Sequence, residues 1–87
     1  MKMTTAKVNT QFDYVSLRIK FDGKKTLNVT RSRNGIKLSG TEATRPALDF
    51  LDAWFKQRKN TTIGQSMEHL CGVAQKSNSI HEFLTNA

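Results

Sequence analysis

From Phe12 to Phe21 the chain alternates. Val15, Leu17, Ile19 and Phe21 fall on one side, and Phe12, Tyr14, Ser16, Arg18 and Lys20 on the other, the period-two pattern of a strand with one buried face. Leu27 and Val29 continue the apolar side, with Thr26, Asn28 and Thr30 opposite. Asp22-Gly23 marks the turn between these strands. A two-residue loop there would set Ile19 opposite Thr26 and mix the faces. The pattern therefore predicts a three-residue loop, Phe21-Asp22-Gly23, with Leu17 opposite Leu27 and Val15 opposite Val29. Asn34-Gly35 predicts a second tight hairpin. It keeps Ile36 and Leu38 on the face of Leu27 and Val29 and leaves Lys37 and Ser39 outside. The same alternation turns Arg31 and Arg33 toward the apolar side, opposite Leu38 and Ile36. The ribbon is expected to twist past the core edge there, freeing both guanidinium groups while their stems cover apolar surface. Residues 1–11 lack a clear period and read as a flexible start or a short edge strand.

After Gly40 the period becomes helical. Thr44 is the expected N-cap and Pro46 sits in the first turn, where its missing amide proton costs least. Ala47, Leu48, Phe50, Leu51, Trp54 and Phe55 make a wide apolar stripe, which serves either the core alone or the core plus a homodimer seam through Phe50, Leu51, Trp54 and Phe55. Asn60-Thr61-Thr62 is expected to break this helix. Ile63, Met67, Leu70, Cys71 and Ala74 then have the spacing of a second amphipathic helix, weakened by Gly64 and Gly72. Ser79-Ile80-His81-Glu82 has the form of a capping box and predicts a short third helix that docks through Ile80, Phe83 and Leu84. The expected fold is one α+β domain over residues 1–87. A three- or four-stranded antiparallel sheet, formed by residues 12–40 with 1–11 either flexible or an edge strand, is followed, over 44–87, by two or three helices packed on one of its faces.

At 87 residues the core must be modest, which leaves room for dimerisation. No apolar run approaches the roughly 18 residues of a membrane span, and no hydrophobic targeting segment follows Met1-Lys2-Met3-Thr4-Thr5. A single cysteine, Cys71, excludes an internal disulfide. These features predict a cytoplasmic protein, or a nuclear one in a eukaryote. Catalysis finds little footing: there is no phosphate-cradling glycine loop, no pair of carboxylates on a rigid element, and no nucleophile with a base signature. His69 and Cys71 are two residues apart on a helix and share no face, so no metal site is expected. No cofactor is implied.

Charge changes the picture. Net charge is +7, and half of the 14 Lys and Arg residues, namely Arg18, Lys20, Lys24, Lys25, Arg31, Arg33 and Lys37, lie between Arg18 and Lys37, within the predicted sheet, beside one acid, Asp22. Such an excess draws a polyanion. On the outer strand face Phe12 and Tyr14 offer rings for stacking, Arg18, Lys20 and Lys37 can neutralise phosphates, and Ser16, Asn28 and Thr30 can hydrogen-bond sugar, phosphate or base edges. Together with Lys24, Lys25, Arg31 and Arg33 these residues form the candidate site. Single-stranded DNA or RNA is expected ahead of duplex.

A family resemblance points the same way. Tyr14-Val15-Ser16-Leu17-Arg18, Gly23-Lys24, Leu27-Asn28-Val29-Thr30-Arg31 and Asn34-Gly35-Ile36-Lys37-Leu38-Ser39, followed by a Trp-bearing helix, resemble the transcriptional positive cofactor and whirly-like family of single-stranded DNA-binding proteins over residues 14–55. The resemblance implies a dimer with a curved antiparallel sheet backed by a helix, its basic and aromatic sheet residues holding unpaired strands. The arm between the second and third strands is shorter here, and residues 60–87 add two helices. Two other classes compete. One is a ribbon-helix-helix DNA-binding dimer, suggested by the helix, polar break and helix from Trp54 to Ala74. The other is a small phage- or plasmid-type inhibitor whose basic face covers a site on a host protein of a nucleic-acid-processing, transcription or defence complex.

Overall fold

The computed structural model describes residues 4–58 and 62–87. Four antiparallel strands, β1 (Thr5–Thr10), β2 (Tyr14–Phe21), β3 (Lys25–Ser32) and β4 (Gly35–Ser39), are hydrogen-bonded in sequence order. Three helices follow: α1 (Arg45–Lys56), α2 (Ile63–Gln75) and α3 (Ile80–Asn86). The expected break at Asn60 and Thr61, and Met1 to Met3, lie outside the described residues. The edge-strand reading of the first residues holds, since β1 pairs with β2 over its whole length. Ala6 and Val8 face the helices from it, and the Gln75 side-chain amide donates to the Ala6 carbonyl at 3.3 Å.

Both hairpins depart from the expected register by two residues. In β2–β3 the partners are Leu17 with Val29 and Ile19 with Leu27. Asp22 and Gly23 both take positive φ, 49° and 71°, and the Lys24 amide donates to the Phe21 carbonyl at 3.0 Å. The turn therefore sits one residue later than predicted. Phe21 stays in the strand, where its ring is buried against Phe83 at a centroid distance of 6.2 Å. A loop containing Phe21 would forfeit that burial, worth about 1.5–3 kcal/mol. In β3–β4, Arg33 and Asn34 are the turn residues, and Ser32 pairs with Gly35, whose φ is 125°. Arg33 thus leaves the ladder, and Arg31 faces Ile36 while Val29 meets Leu38. A slip of two residues preserves every side chain's face, which is why the inner face still carries the predicted apolar set.

The helices cover that inner face. Leu17, Ile19, Leu27 and Val29 are fully buried with Leu51, Met67, Leu70, Ala74 and Phe83. Thr44 caps α1 by accepting from the Ala47 amide, Thr62 caps α2 by accepting from Gln65, and Ser79 caps α3 by accepting from Glu82. Glu82 completes the last cap through the Asn78 amide, at 3.4 Å, rather than that of Ser79. The α1 stripe is mostly consumed at home. Leu51, Trp54 and Phe55 are buried, and the Trp54 ring meets the Arg58 guanidinium at 4.1 Å and stacks with the His69 ring at 5.9 Å. What the helix offers a second copy through the four residues named above is reduced to Phe50, which is 38% exposed.

One glycine carries the link from sheet to helix. Past Ser39 the β3–β4 pairing continues through side chains: Thr26 donates its amide to Thr41 Oγ1 at 2.8 Å, and Thr41 returns its own to Thr26 Oγ1 at 3.2 Å. Gly40 makes that close approach with φ 102°, and an added Cβ would lie 2.6 Å from the Thr26 carbonyl oxygen. Gly40→Ala is expected to cost about 1–3 kcal/mol through left-handed strain and loss of this clasp. Urea unfolding reads it directly; an unchanged midpoint would show that the link yields freely.

Candidate functional site

No described element packs on the outer face of the sheet, so its side chains stand in rows across four strands. Lys7, Arg18, Asn28 and Ser39 form one row, and Asn9, Ser16, Thr30 and Lys37 form the next. Thr5, Lys20 and Thr26 lie on one side of these, and Tyr14, Ser32 and Gly35 on the other. Lys7, Arg18, Lys20 and Lys37 are all exposed, and among the described residues none of them is in an ion pair. No carboxylate belongs to these rows. The Asn28 Oδ1, hidden among its neighbours beside Arg18, has no hydrogen-bond partner.

Seven of the twelve candidate residues come together here: Tyr14, Ser16, Arg18, Lys20, Asn28, Thr30 and Lys37. The other five do not. Phe12 is not a strand residue but part of the β1–β2 connection, where the Gln11 amide donates to the Tyr14 carbonyl at 2.8 Å. Lys24 lies in the β2–β3 turn and Arg33 in the β3–β4 turn. Lys25 is opposite the buried Phe21 and meets Glu42 at 3.9 Å on the helical side. Arg31 also faces the helices: its guanidinium carbon lies 5.8 Å from the Phe55 ring centroid, and it donates to the Ser32 carbonyl. It stays on the apolar side as the alternation predicts, but its guanidinium is not freed there: it is held by Phe55 and the Ser32 carbonyl, behind the sheet rather than on the outer face.

Lys7, Asn9 and Thr5 join the face without having been predicted. Their signal was the short alternation of Ala6 and Val8 with Lys7 and Asn9, too brief to separate an edge strand from a loop. Lys7 stands directly opposite Arg18 across the β1–β2 ladder, so two like charges face each other there. Direct cross-strand neighbours hold their Cβ atoms about 4.5–5.5 Å apart, and like charges at that spacing destabilise the pair.

The remaining reactive groups lie elsewhere. Burial, and then the Glu68 carboxylate, push the Cys71 thiol above its ordinary range, which keeps it protonated and inert at neutral pH. His69 is exposed where Cys71 is buried, so the two point apart. Among the described residues no three His, Cys, Asp or Glu side chains converge as a metal site would require. No family model, curated protein or solved structure matches the chain.

Proposed function

We propose that the outer sheet face binds a polyanion and that this polyanion is a single-stranded nucleic acid. One observation carries the reading: Lys7 and Arg18 oppose each other with Lys20 two residues along β2, on a face without a carboxylate. Juxtaposed cations cost the free protein stability, and phosphates threaded between them recover it. Tyr14, 40% exposed in the last row, supplies a ring on which a base can stack.

Width argues for a single strand. Four strands at 4.7–4.9 Å spacing make a backbone about 14 Å across before side chains are added, whereas the major groove is about 12 Å wide and admits at most a two-stranded ribbon. A ribbon-helix-helix reader is likewise disfavoured, because its one strand before the helix pair is replaced here by a four-stranded sheet. Fluorescence anisotropy with labelled single- and double-stranded oligonucleotides across a salt series is expected to show tighter, salt-sensitive binding of the single strand. Tyr14→Ala should cost about 1–3 kcal/mol of binding and leave the salt slope unchanged. Absence of single-strand affinity at low salt defeats the reading.

A second reading is favoured by the scarcity of rings. Tyr14 is the one aromatic in the four rows, set among Ser, Thr, Asn, Lys and Arg, a composition equally suited to a polar protein interface anchored by Tyr and Arg. The partner would then be an acidic surface on another protein, and the chain an inhibitor that covers it. Co-purification from host lysate separates the two: a protein partner retained after nuclease digestion, and lost when Lys7 and Arg18 are neutralised, favours this second reading.

A further inference from the structure

Beyond the last row of the sheet, the β1–β2 and β3–β4 connections flank an open hollow of about 830 Å³. Its lining shares Tyr14, Thr30, Ser32 and Lys37 with the face and adds residues of the two connections. Phe12 is there, 102% exposed, with Tyr14 beside it. Arg33 and Lys37 contribute two positive charges against the single carboxylate of Asp13, and Arg31 borders the hollow with its guanidinium engaged by Phe55 and the Ser32 carbonyl. A phenylalanine held fully in water forgoes the roughly 1.5–3 kcal/mol that burial returns. A loop tip that does so beside a cluster of cations has the character of a recognition element rather than of a folding one.

The combination specifies a chemistry. Rings stack flat, uncharged π-systems, guanidinium and ammonium groups neutralise phosphate, and the two together match one nucleotide unit. The volume falls within the 300–1,000 Å³ usual for small-ligand sites. The hollow also adjoins the row of Tyr14, so a strand lying along β2 from Lys20 toward Tyr14 runs into it. We infer that this hollow holds a single nucleotide unit, its base on Phe12 and Tyr14 and its phosphate at Arg33 and Lys37. The inference rests on the nucleic-acid reading of the face and extends it. The face supplies sequence-independent charge, and the hollow supplies one defined seat that fixes where along the strand the protein sits.

Adenosine monophosphate is a suitable probe, because it fills the seat without spanning the face. Titration followed by two-dimensional amide NMR should move the amides of residues 11–14 and 33–34, leaving those around Lys7 and Arg18 nearly still. Adenosine should bind more weakly for lack of the phosphate, and inorganic phosphate more weakly for lack of the base. Phe12→Ala and Arg33→Ala alter exposed turn residues and should leave the thermal midpoint unchanged. Phe12→Ala is expected to weaken adenosine monophosphate about fivefold to a hundredfold, the range associated with losing one stacked ring, and Arg33→Ala about tenfold to a hundredfold, the range of a lost charged hydrogen bond. The two levels fail separately. Oligonucleotides that bind with steep salt dependence while the mononucleotide moves no turn amides overturn the hollow and keep the face. If neither probe binds at low salt, both readings are overturned.

Discussion

Phe83→Ala is expected to destabilise the protein by about 3–5 kcal/mol, a large share of the roughly 5–15 kcal/mol available to a small domain. Phe83 has no exposed surface, and its ring meets that of Phe21 at an interplanar angle of 54°. The helix that carries it is seven residues long, far below the dozen or so at which an isolated helix becomes even marginal. Its cap satisfies two amide donors but cannot replace packing. Truncating the ring therefore does more than open a cavity: it removes the main reason for α3 to exist. Urea unfolding should show the lowered midpoint, and hydrogen exchange at 10 °C should show α3 amides losing protection before those of β2 and β3. A cost below about 1 kcal/mol would mean that the site collapses around the missing ring and that α3 is an appendage.

Which parts of this architecture can be read from the sequence follows from which interactions are local. Helix starts are local. Thr44 with Pro46, and Ser79 with Glu82, announce α1 and α3 because a cap is made within three residues of itself. The inner and outer faces of β2 and β3 are equally plain, since period two fixes parity. Register is not local. It depended on whether Phe21 would be spent in a turn or buried on Phe83, sixty-two residues away in sequence (83 − 21), and no turn motif reports on that. The same limit explains Phe12. Its alternation with Tyr14 is real, but the ladder stops at Thr10 and Val15, so a residue that continues the pattern belongs to the connection.

The candidate site shows a similar division. Residues of the strand cores, such as Arg18, Lys20, Asn28 and Lys37, fall on the outer face as parity requires. Those at strand ends do not: Lys25 and Arg31 turn toward the helices, and Lys24 and Arg33 occupy turns. Counting charges in the stretch from Arg18 to Lys37 thus overstates the outer face by four and omits Lys7, which only the pairing of β1 brings in. The consequence is a more compact basic cluster than composition implies, centred on the β1–β2 ladder rather than spread along the hairpins.

That geometry yields the sharpest functional prediction. Replacing Lys7, Arg18 and Lys20 together by glutamine is expected to lower single-strand affinity about 10²–10³-fold at about 0.05 M salt and to have little effect near 1 M. Each phosphate contact contributes about 0.7 to the slope of log affinity against log salt, so three contribute about 2.1 over the 1.3 decades between those conditions. A matched control removes three cations from the helical side, Arg45, Lys56 and Lys76. Arg45 and Lys56 are ion-paired with Asp49 and Asp52 at 3.2 and 3.0 Å. The control changes net charge equally but should alter the slope far less, because long-range field alone is screened within a Debye length of about 10 Å. Stability supplies an independent readout. Relieving the Lys7–Arg18 opposition should leave the triple variant as stable as the parent or stabilise it by a few tenths of a kcal/mol up to about 1, so that binding falls as folding holds or improves. That divergence is the signature of a surface whose charges are retained for a ligand rather than for the fold. Equal losses in the two triple variants would remove the outer face from consideration and leave net charge as the whole of the attraction.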